Sequence, residues 1–365
     1  MHVTLLVPGV HDRPTGGNIY NRRIVGALEG QIHVEVVPWR PEAEPPPALD
    51  LPPDGALVVD SLLTRHESPL RALRAAHPAA TLVLLAHYLH CIDPNEADAP
   101  AAATERALLP LFDGAVTTSR YAKQVVADEG LSASRIAVVP PGLDDAYRDP
   151  VPDRPARDTP RLLTVASLQS GKGLTTLVEA LEMLADAAWT WTLVGDDTLD
   201  PGFADGLRAT IQTSVISDRV TLEGAVPSAE MRAQYDRVDL FVLPSRFETC
   251  SMATREAMAR GLPVLATDVG GLPDNFDAAA TPGGAATPSG AAAPSAVPAG
   301  RLVPPGRPEA LTDALRPLLD DPAARREMGV AARERSRAFP TWPEAAERFR
   351  AAVQALPPPT TEDAP

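Results

Sequence analysis

The chain has 365 residues, more than one ordinary hydrophobic core accommodates and enough for two, and its 44% hydrophobic content fits a globular protein. A formal net charge of −15 excludes nucleic acid as a partner, because phosphate binding needs a basic face; it leaves at most peripheral contact with a membrane. The two cysteines, Cys91 and Cys250, stand far apart without a CxxC, which excludes a disulfide framework and points to a reducing, cytoplasmic compartment.

In chain order, "MHVTLLVPG" has no basic leader and too short an apolar run for a signal peptide, so it reads as a first strand. "HVEVVPW", "ALVVDSL", "TLVLLAH", "GAVTTS" and "IAVVPPG" follow as short apolar strands. Helical stretches lie between several of them, among them "NIYNRRIVGALEG", "LRALRAAH" and "SRYAKQVVADEG". Gly16 and Gly17 sit between the first strand and its helix, where a bare backbone can approach phosphate; a plain turn would look the same. His87 ends the fourth-strand segment and is a candidate for substrate contact, with a satisfied core histidine as the alternative. His90, three residues on, finds no further ligand at a zinc-like spacing, so no metal site is expected. Asp60 ends its strand in a similar place and is a weaker candidate.

The Pro-rich run 149–160 reads as an interdomain linker. The second half repeats the alternation with "RLLTVAS", "WTWTLVGD", "RVTLEGAV", "LFVLPS", "LPVLAT" and "GRLVPP" as strands. Its helices include "LTTLVEALEMLA", "SAEMRAQYDR", "SMATREAMAR" and "PEALTDALRPLLD". Continuous apolar strands with helical crossovers indicate parallel sheets covered on both faces. The expectation is therefore an α/β chain of two Rossmann-like, doubly wound parallel-sheet domains facing a central cleft. Their expected bounds are 1–150 and 161–340, joined by 151–160, with a low-complexity insertion at 276–300. A C-terminal helix at 341–356 is expected to return to the first domain, before a loose tail at 357–365.

Two stretches of the second half carry chemistry. "QSGKG" puts Lys172 on a glycine-flanked turn between a strand and a helix, where it can meet an anion; it lacks the spacing of a Walker A loop. "FETCSMATREAMARGLPVLATDVGGLPD" (247–274) carries Glu248 in a loop and Glu256 inside the following helix, with seven residues between them. Thr249 or Ser251 caps that helix, and the amides of Ser251, Met252 and Ala253 at its start suit a phosphate. Two solvated carboxylates remain the plain alternative.

These blocks, in this order, resemble a retaining glycosyltransferase of family 4, with the GT-B fold. "TTSRYAKQVV", "VVPPGLD", "VASLQSGKGLTTLVEAL", "LVGDD", "DRVTLEGAV", the 247–274 stretch and "GRLVPPGRPEALTDAL" are each similar to a family block, most strongly from about 161 to 275. The resemblance implies transfer of a sugar, with retention, from a nucleotide-sugar to an acceptor hydroxyl. The acceptor, whether small molecule, glycan or lipid-linked, stays open. It also implies roles. Glu256 would bind the donor ribose and Glu248 the donor sugar. Lys172 and the amides of Ser251, Met252 and Ala253 would meet the diphosphate. Gly16 and Gly17 would cover it, and His87 would lie near sugar and acceptor. Lys172, Glu248 and His87 form the expected catalytic set, with no metal and no cofactor. Ala166 and Ser167 depart from the family's usual Gly-Arg, so one cation is missing, and Arg120 or Arg246 are candidates to compensate. "TCS" (249–251) replaces an aromatic or aliphatic residue followed by glycine. Another GT-B activity, such as a nucleotide-sugar epimerase, and a non-catalytic nucleotide-sugar-binding scaffold are the alternatives.

Overall fold

A computed structural model describes residues 1–9, 13, 15–52, 55–155, 157–277 and 297–357. Most of the low-complexity run at 276–300 and nearly all of the tail at 357–365 lie outside the described residues. The chain divides into two compact units, Met1–Gly142 with Pro340–Pro365, and Leu143–Phe339.

The first unit holds one parallel sheet of β1 (His2–Pro8), β2 (His33–Trp39), β3 (Ala56–Asp60), β4 (Thr81–Ala86), β5 (Gly114–Thr117) and β6 (Ile136–Val138). Its order is β2-β1-β3-β4-β5-β6, with every pair parallel. All five residues of β3 are buried, as a strand covered on both faces requires, while β2 at the edge is largely exposed. Helices α1 (Gly16–Leu28), α2 (Glu67–Ala76), α3 (Pro100–Leu108) and α4 (Arg120–Asp128) connect these strands. Thr15 starts α1 by accepting a hydrogen bond from Asn18 N–H at 3.3 Å. Gly16 and Gly17 therefore form the first turn of α1 and not a loop before it.

The second unit runs through α5 (Asp145–Arg148), β7 (Arg161–Val165), α6 (Leu174–Glu182), β8 (Thr190–Val194), α7 (Pro201–Thr213), β9 (Val220–Gly224), α8 (Ser228–Asp236) and β10 (Leu240–Leu243). It continues with α9 (Met252–Ala259), β11 (Val264–Thr267), β12 (Arg301–Val303), α10 (Pro308–Asp320) and α11 (Pro322–Ser336). The sheet order is β12-β11-β10-β7-β8-β9. Alternate strand residues feed two cores: Leu162, Leu240, Val242 and Leu265 on one face, Leu163, Phe241, Leu243, Val264 and Ala266 on the other. Residues 149–160 lie within this unit and are pinned to it by arginines. The buried Arg260 donates to Asp149 O and Pro150 O, Arg154 to Tyr235 O, and Arg157 to Asp239 Oδ1 at 2.7 Å.

The last helix, α12 (Trp342–Gln354), belongs to the first unit and packs on α1. A capping box of Thr341 and Glu344 starts it. Among the described residues no helix is long and apolar enough to cross a membrane.

Candidate active site

In open parallel sheets, ligands bind beyond the carboxyl ends of strands where the strand order reverses. In the second unit that point lies between β7 and β10, and the segments leaving these two strands carry the expected donor residues. After β7 the chain passes Ala166 and Ser167 and makes a single turn at Ser170–Lys172 before α6. After β10 it runs through Ser245–Ser251 into α9. Arg246 N–H donates to Gly171 O at 2.8 Å and ties the two segments together. Lys172 Nζ donates to Glu248 Oε1 at 2.8 Å, and the same oxygen accepts from the buried Ser245 Oγ at 2.8 Å. With side chains 26% and 13% exposed, the pair is partly desolvated yet open to a ligand.

The double glycine after β11 completes this side. Gly271 N–H donates to Glu248 O at 2.8 Å. Gly270 has a φ of +51°, and a Cβ there would stand 2.2 Å from Glu248 O. Only glycine lets the turn lie on the Glu248 backbone in this way.

Ser251 begins α9 with φ +63° and ψ +96°, the only positive φ outside glycine among the described residues. Its Oγ accepts from Thr254 N–H at 3.3 Å, which leaves the amides of Met252 and Ala253 at the mouth of the helix. Asn275, fully buried, locks this turn from behind. Its Nδ2 donates to Cys250 O at 2.6 Å, and its Oδ1 accepts from Arg255 Nε at 2.8 Å. The Arg255 guanidinium in turn lies 4.6 Å from the centre of the Phe339 ring. Burial pushes the Cys250 thiol up, so it stays protonated.

Glu256 sits one turn into α9, and Tyr235 on α8 donates to its Oε2 at 2.7 Å. Burial, then the Glu256 charge, holds the Tyr235 hydroxyl well above its ordinary value, so Tyr235 remains a donor.

The first unit has its own reversal, between β1 and β3, and four chemistry-bearing residues meet there. His87, which follows β4, is 9% exposed. Its Nε2 lies 2.7 Å from Asn21 Oδ1, and Asn21 Nδ2 donates to Asp60 Oδ2 at 2.8 Å. A Cβ on Gly17 would stand 3.2 Å from His87 Cδ2, so the missing side chain is what lets the imidazole approach α1. The Tyr20 ring meets His87 edge-on at 4.9 Å between centroids. Burial lowers the His87 pKa from 6.5, with Asp60 partly opposing, and keeps the ring neutral. His90 turns elsewhere: its Nδ1 lies 2.8 Å from the buried Glu105 Oε1. Among the described residues no group of three or more His, Cys, Asp or Glu is arranged to hold a metal.

The structure therefore groups Lys172, Glu248, Ser251, Met252, Ala253 and Glu256 about one strand-order reversal, and Gly16, Gly17 and His87 about the other. Arg246 lies on the second unit beside the Lys172 turn, and Arg120 on the first. Reading the sequence missed Ser245, Tyr235, Asn275 and Asn21. Asn21 was accessible in principle, since it stands four residues after Gly17 on one face of α1; the others carry no local signal.

Two such units of six-stranded parallel sheet and helices define the GT-B class. Residues 159–321 match the family model described as glycosyl transferases, group 1. The chain is 31% identical over 287 residues to a D-inositol 3-phosphate glycosyltransferase of Kineococcus radiotolerans, a match that covers 71% of this chain and 62% of that protein. Among solved structures it is similar to sucrose-phosphate synthase from Thermosynechococcus elongatus, with a TM-score of 0.75 at 22% identity over 96% of this chain and 98% of that one. It is also similar to HepE of Anabaena in complex with UDP and glucose, with a TM-score of 0.72 at 15% identity over 97% and 99%. These structural likenesses speak for the fold.

Proposed function

We propose that the chain is a retaining glycosyltransferase that moves a sugar from a nucleotide-sugar to an acceptor hydroxyl. The observation that carries this reading is the Lys172–Glu248 pair, set across the strand-order reversal beside the N-terminus of α9. As the glycosidic bond breaks, negative charge grows on the departing nucleoside diphosphate. Lys172 and the Met252 and Ala253 amides stabilise that charge from fixed positions, with no reorganisation at the moment of reaction. When the diphosphate takes Lys172, Glu248 is released to accept from donor-sugar hydroxyls, while Ser245 and Gly271 keep it in place. Glu256, oriented by Tyr235, accepts from the ribose hydroxyls. Gly16 and Gly17 give the first unit a bare helix start that can approach the diphosphate, and His87 meets a substrate hydroxyl. Cations and amides supply the positive charge, so the reaction needs no metal and no cofactor.

The family-model match and the relatives' names support sugar transfer, and a neighbour bound to UDP and glucose supports a nucleotide-sugar donor. The name of the inositol-phosphate relative favours a phosphorylated polyol acceptor, and glycan and lipid-linked acceptors remain open. Two free, buried cysteines suit a cytoplasmic enzyme. Thermal stabilisation by a panel of nucleotide-sugars, followed by mass spectrometry of acceptor products, tests the reading. Ser167, standing where a cation is usual, favours a second reading, a chain that binds nucleotide-sugars without transfer. Stabilisation with no product across a broad acceptor panel would support that one. An epimerase would release free sugar or its epimer instead.

A further inference from the structure

We propose that Asn275 and Arg255 are positioning residues for the donor diphosphate. Together they clamp Ser251 in a backbone conformation that suits glycine, and so keep the Met252 and Ala253 amides aimed at the ligand. The task of those amides rests on the glycosyltransferase reading; the clamp on Ser251 rests on the geometry of the turn.

Ser251 lies at φ +63° and ψ +96°. A side chain is rarely tolerated there, and such a residue persists only where its neighbours over-determine it. Its own hydroxyl does part of this by accepting from Thr254 N–H at 3.3 Å. That bond fixes the residues after Ser251 and leaves the peptide before it unheld. Asn275 holds that peptide: its Nδ2 donates to Cys250 O at 2.6 Å, while its Oδ1 accepts from Arg255 Nε at 2.8 Å. A carbonyl oxygen only accepts and a guanidinium N–H only donates, so the partners assign both ends of the Asn275 amide. One side chain thus spans the strained residue, from the peptide that precedes it to Arg255, four residues on. Asn275 is 0% and Arg255 5% exposed, so water does not compete for these bonds.

The clamp is itself anchored. The buried Phe339 ring seats two guanidinium groups, that of Arg255 at 4.6 Å and that of Arg335 at 5.2 Å from its centre. Arg335 Nη2 donates to Asp277 O at 2.7 Å and to Asp274 O at 3.3 Å, on either side of Asn275. One ring therefore backs the arginine that fixes the Asn275 side chain and the arginine that fixes its backbone. Relaxation of Ser251 to negative φ would turn the Cys250–Ser251 peptide and swing the first amides of α9 away from their direction. The bond to Cys250 O opposes that turn. A positioning role of this kind makes a demand that plain core packing does not: the value of Asn275 must depend on which residue stands at 251.

The test is a double-mutant cycle at 251 and 275 on the full chain, read by calorimetric titration with UDP and with GDP. Asn275→Asp keeps the acceptor for Arg255 and loses the donor to Cys250 O. With Ser251 in place it should weaken the nucleoside diphosphate by at least about tenfold. Ser251→Gly removes the need for a clamp, since glycine takes positive φ without strain. In that background Asn275→Asp should weaken the same ligand by less than about threefold. Equal losses in the two backgrounds, or no loss in either, overturn the inference. Should Asn275→Asp fail to fold, Arg255→Met keeps an apolar stem against Phe339, removes the donor to Asn275 and carries the same expectation in both backgrounds. Melting temperatures of the four chains read the clamp without a ligand: Asn275→Asp should lower the melting temperature less beside Gly at 251 than beside Ser, and equal falls overturn the clamp. Failure of both UDP and GDP to bind the wild-type chain would sink the glycosyltransferase reading instead, and the thermal cycle then decides the clamp by itself.

Discussion

Lys172 and Glu248, 76 residues apart in the chain, meet at 2.8 Å where β7 and β10 end. In the proposed function a nucleotide-sugar engages both, one through its diphosphate and one through its sugar. On that reading their mutual pairing satisfies the two charges until the ligand replaces it, at the modest net cost of exchanging one partly exposed ion pair for another. Lys172→Ala should therefore reduce turnover by roughly 100-fold or more, because it removes a cation acting on developing charge. Steady-state kinetics with saturating donor check this, and an unchanged kcat would remove Lys172 from the reaction.

The turn at Ser251 gives a prediction about stability. Its φ of +63° stores strain of order 1–3 kcal/mol, which the side-chain cap on Thr254 partly offsets. Ser251→Gly relieves the strain and loses only a few tenths of a kcal/mol of capping, so the melting temperature should hold or rise. Ser251→Ala keeps the strain and loses the cap, and should destabilise by about 1–2 kcal/mol. Thermal denaturation of the two variants decides it; equal melting temperatures would contradict this account of the turn.

His87 predicts a pH dependence. Its folded pKa lies below the ordinary 6.5, so near and below that pH the unfolded chain binds the proton more readily. Stability from this group is therefore complete above about pH 6.5 and declines as pH falls toward the folded value. His87→Gln removes the titration. The fall in melting temperature between pH 7 and 5 should be shallower in the variant than in the wild type, and parallel curves would contradict the assignment.

Lys172 and the α9 amides, not a metal, are assigned the task of meeting the diphosphate. Transfer should therefore survive EDTA. Full loss on chelation, restored by Mg²⁺ or Mn²⁺, would require a different site.

Much of this was legible in the sequence because apolar runs such as "ALVVD" and "LFVL" are buried along their whole length, which is the signature of a covered parallel strand. Strand-loop-helix order then placed Lys172, Glu248 and His87 near strand ends. Several helices were not visible. α3 is short and alanine-rich, α7 opens on Pro-Gly and carries Gly206, and α11 contains Gly329, which packs so closely on Gly261 that a Cβ would stand 2.3 Å from its carbonyl oxygen. The division of the chain at Gly142 was also hidden, since a proline-rich run reads as a linker whether or not arginines hold it against a domain. The strain at Ser251 could not be read from a serine. The partnerships of Asn21 with Asp60 and His87, of Tyr235 with Glu256 and of Asn275 with Cys250 are set by tertiary packing, and no local spacing encodes them.

The division of labour between the two glutamates is the centre of the proposed function, and calorimetric titration of two variants with two ligands tests it directly. Glu256→Gln keeps the shape and removes the charge that would hold the ribose. It should weaken both the bare nucleoside diphosphate and the intact nucleotide-sugar, by about 1–3 kcal/mol. Glu248→Gln should leave the bare nucleoside diphosphate near its wild-type affinity or slightly tighter, since Lys172 loses its competing partner, while binding and use of the nucleotide-sugar fall. Equal losses for the bare nucleotide in both variants would contradict separate roles, and no loss in either would return Glu248 and Glu256 to the status of ordinary surface carboxylates.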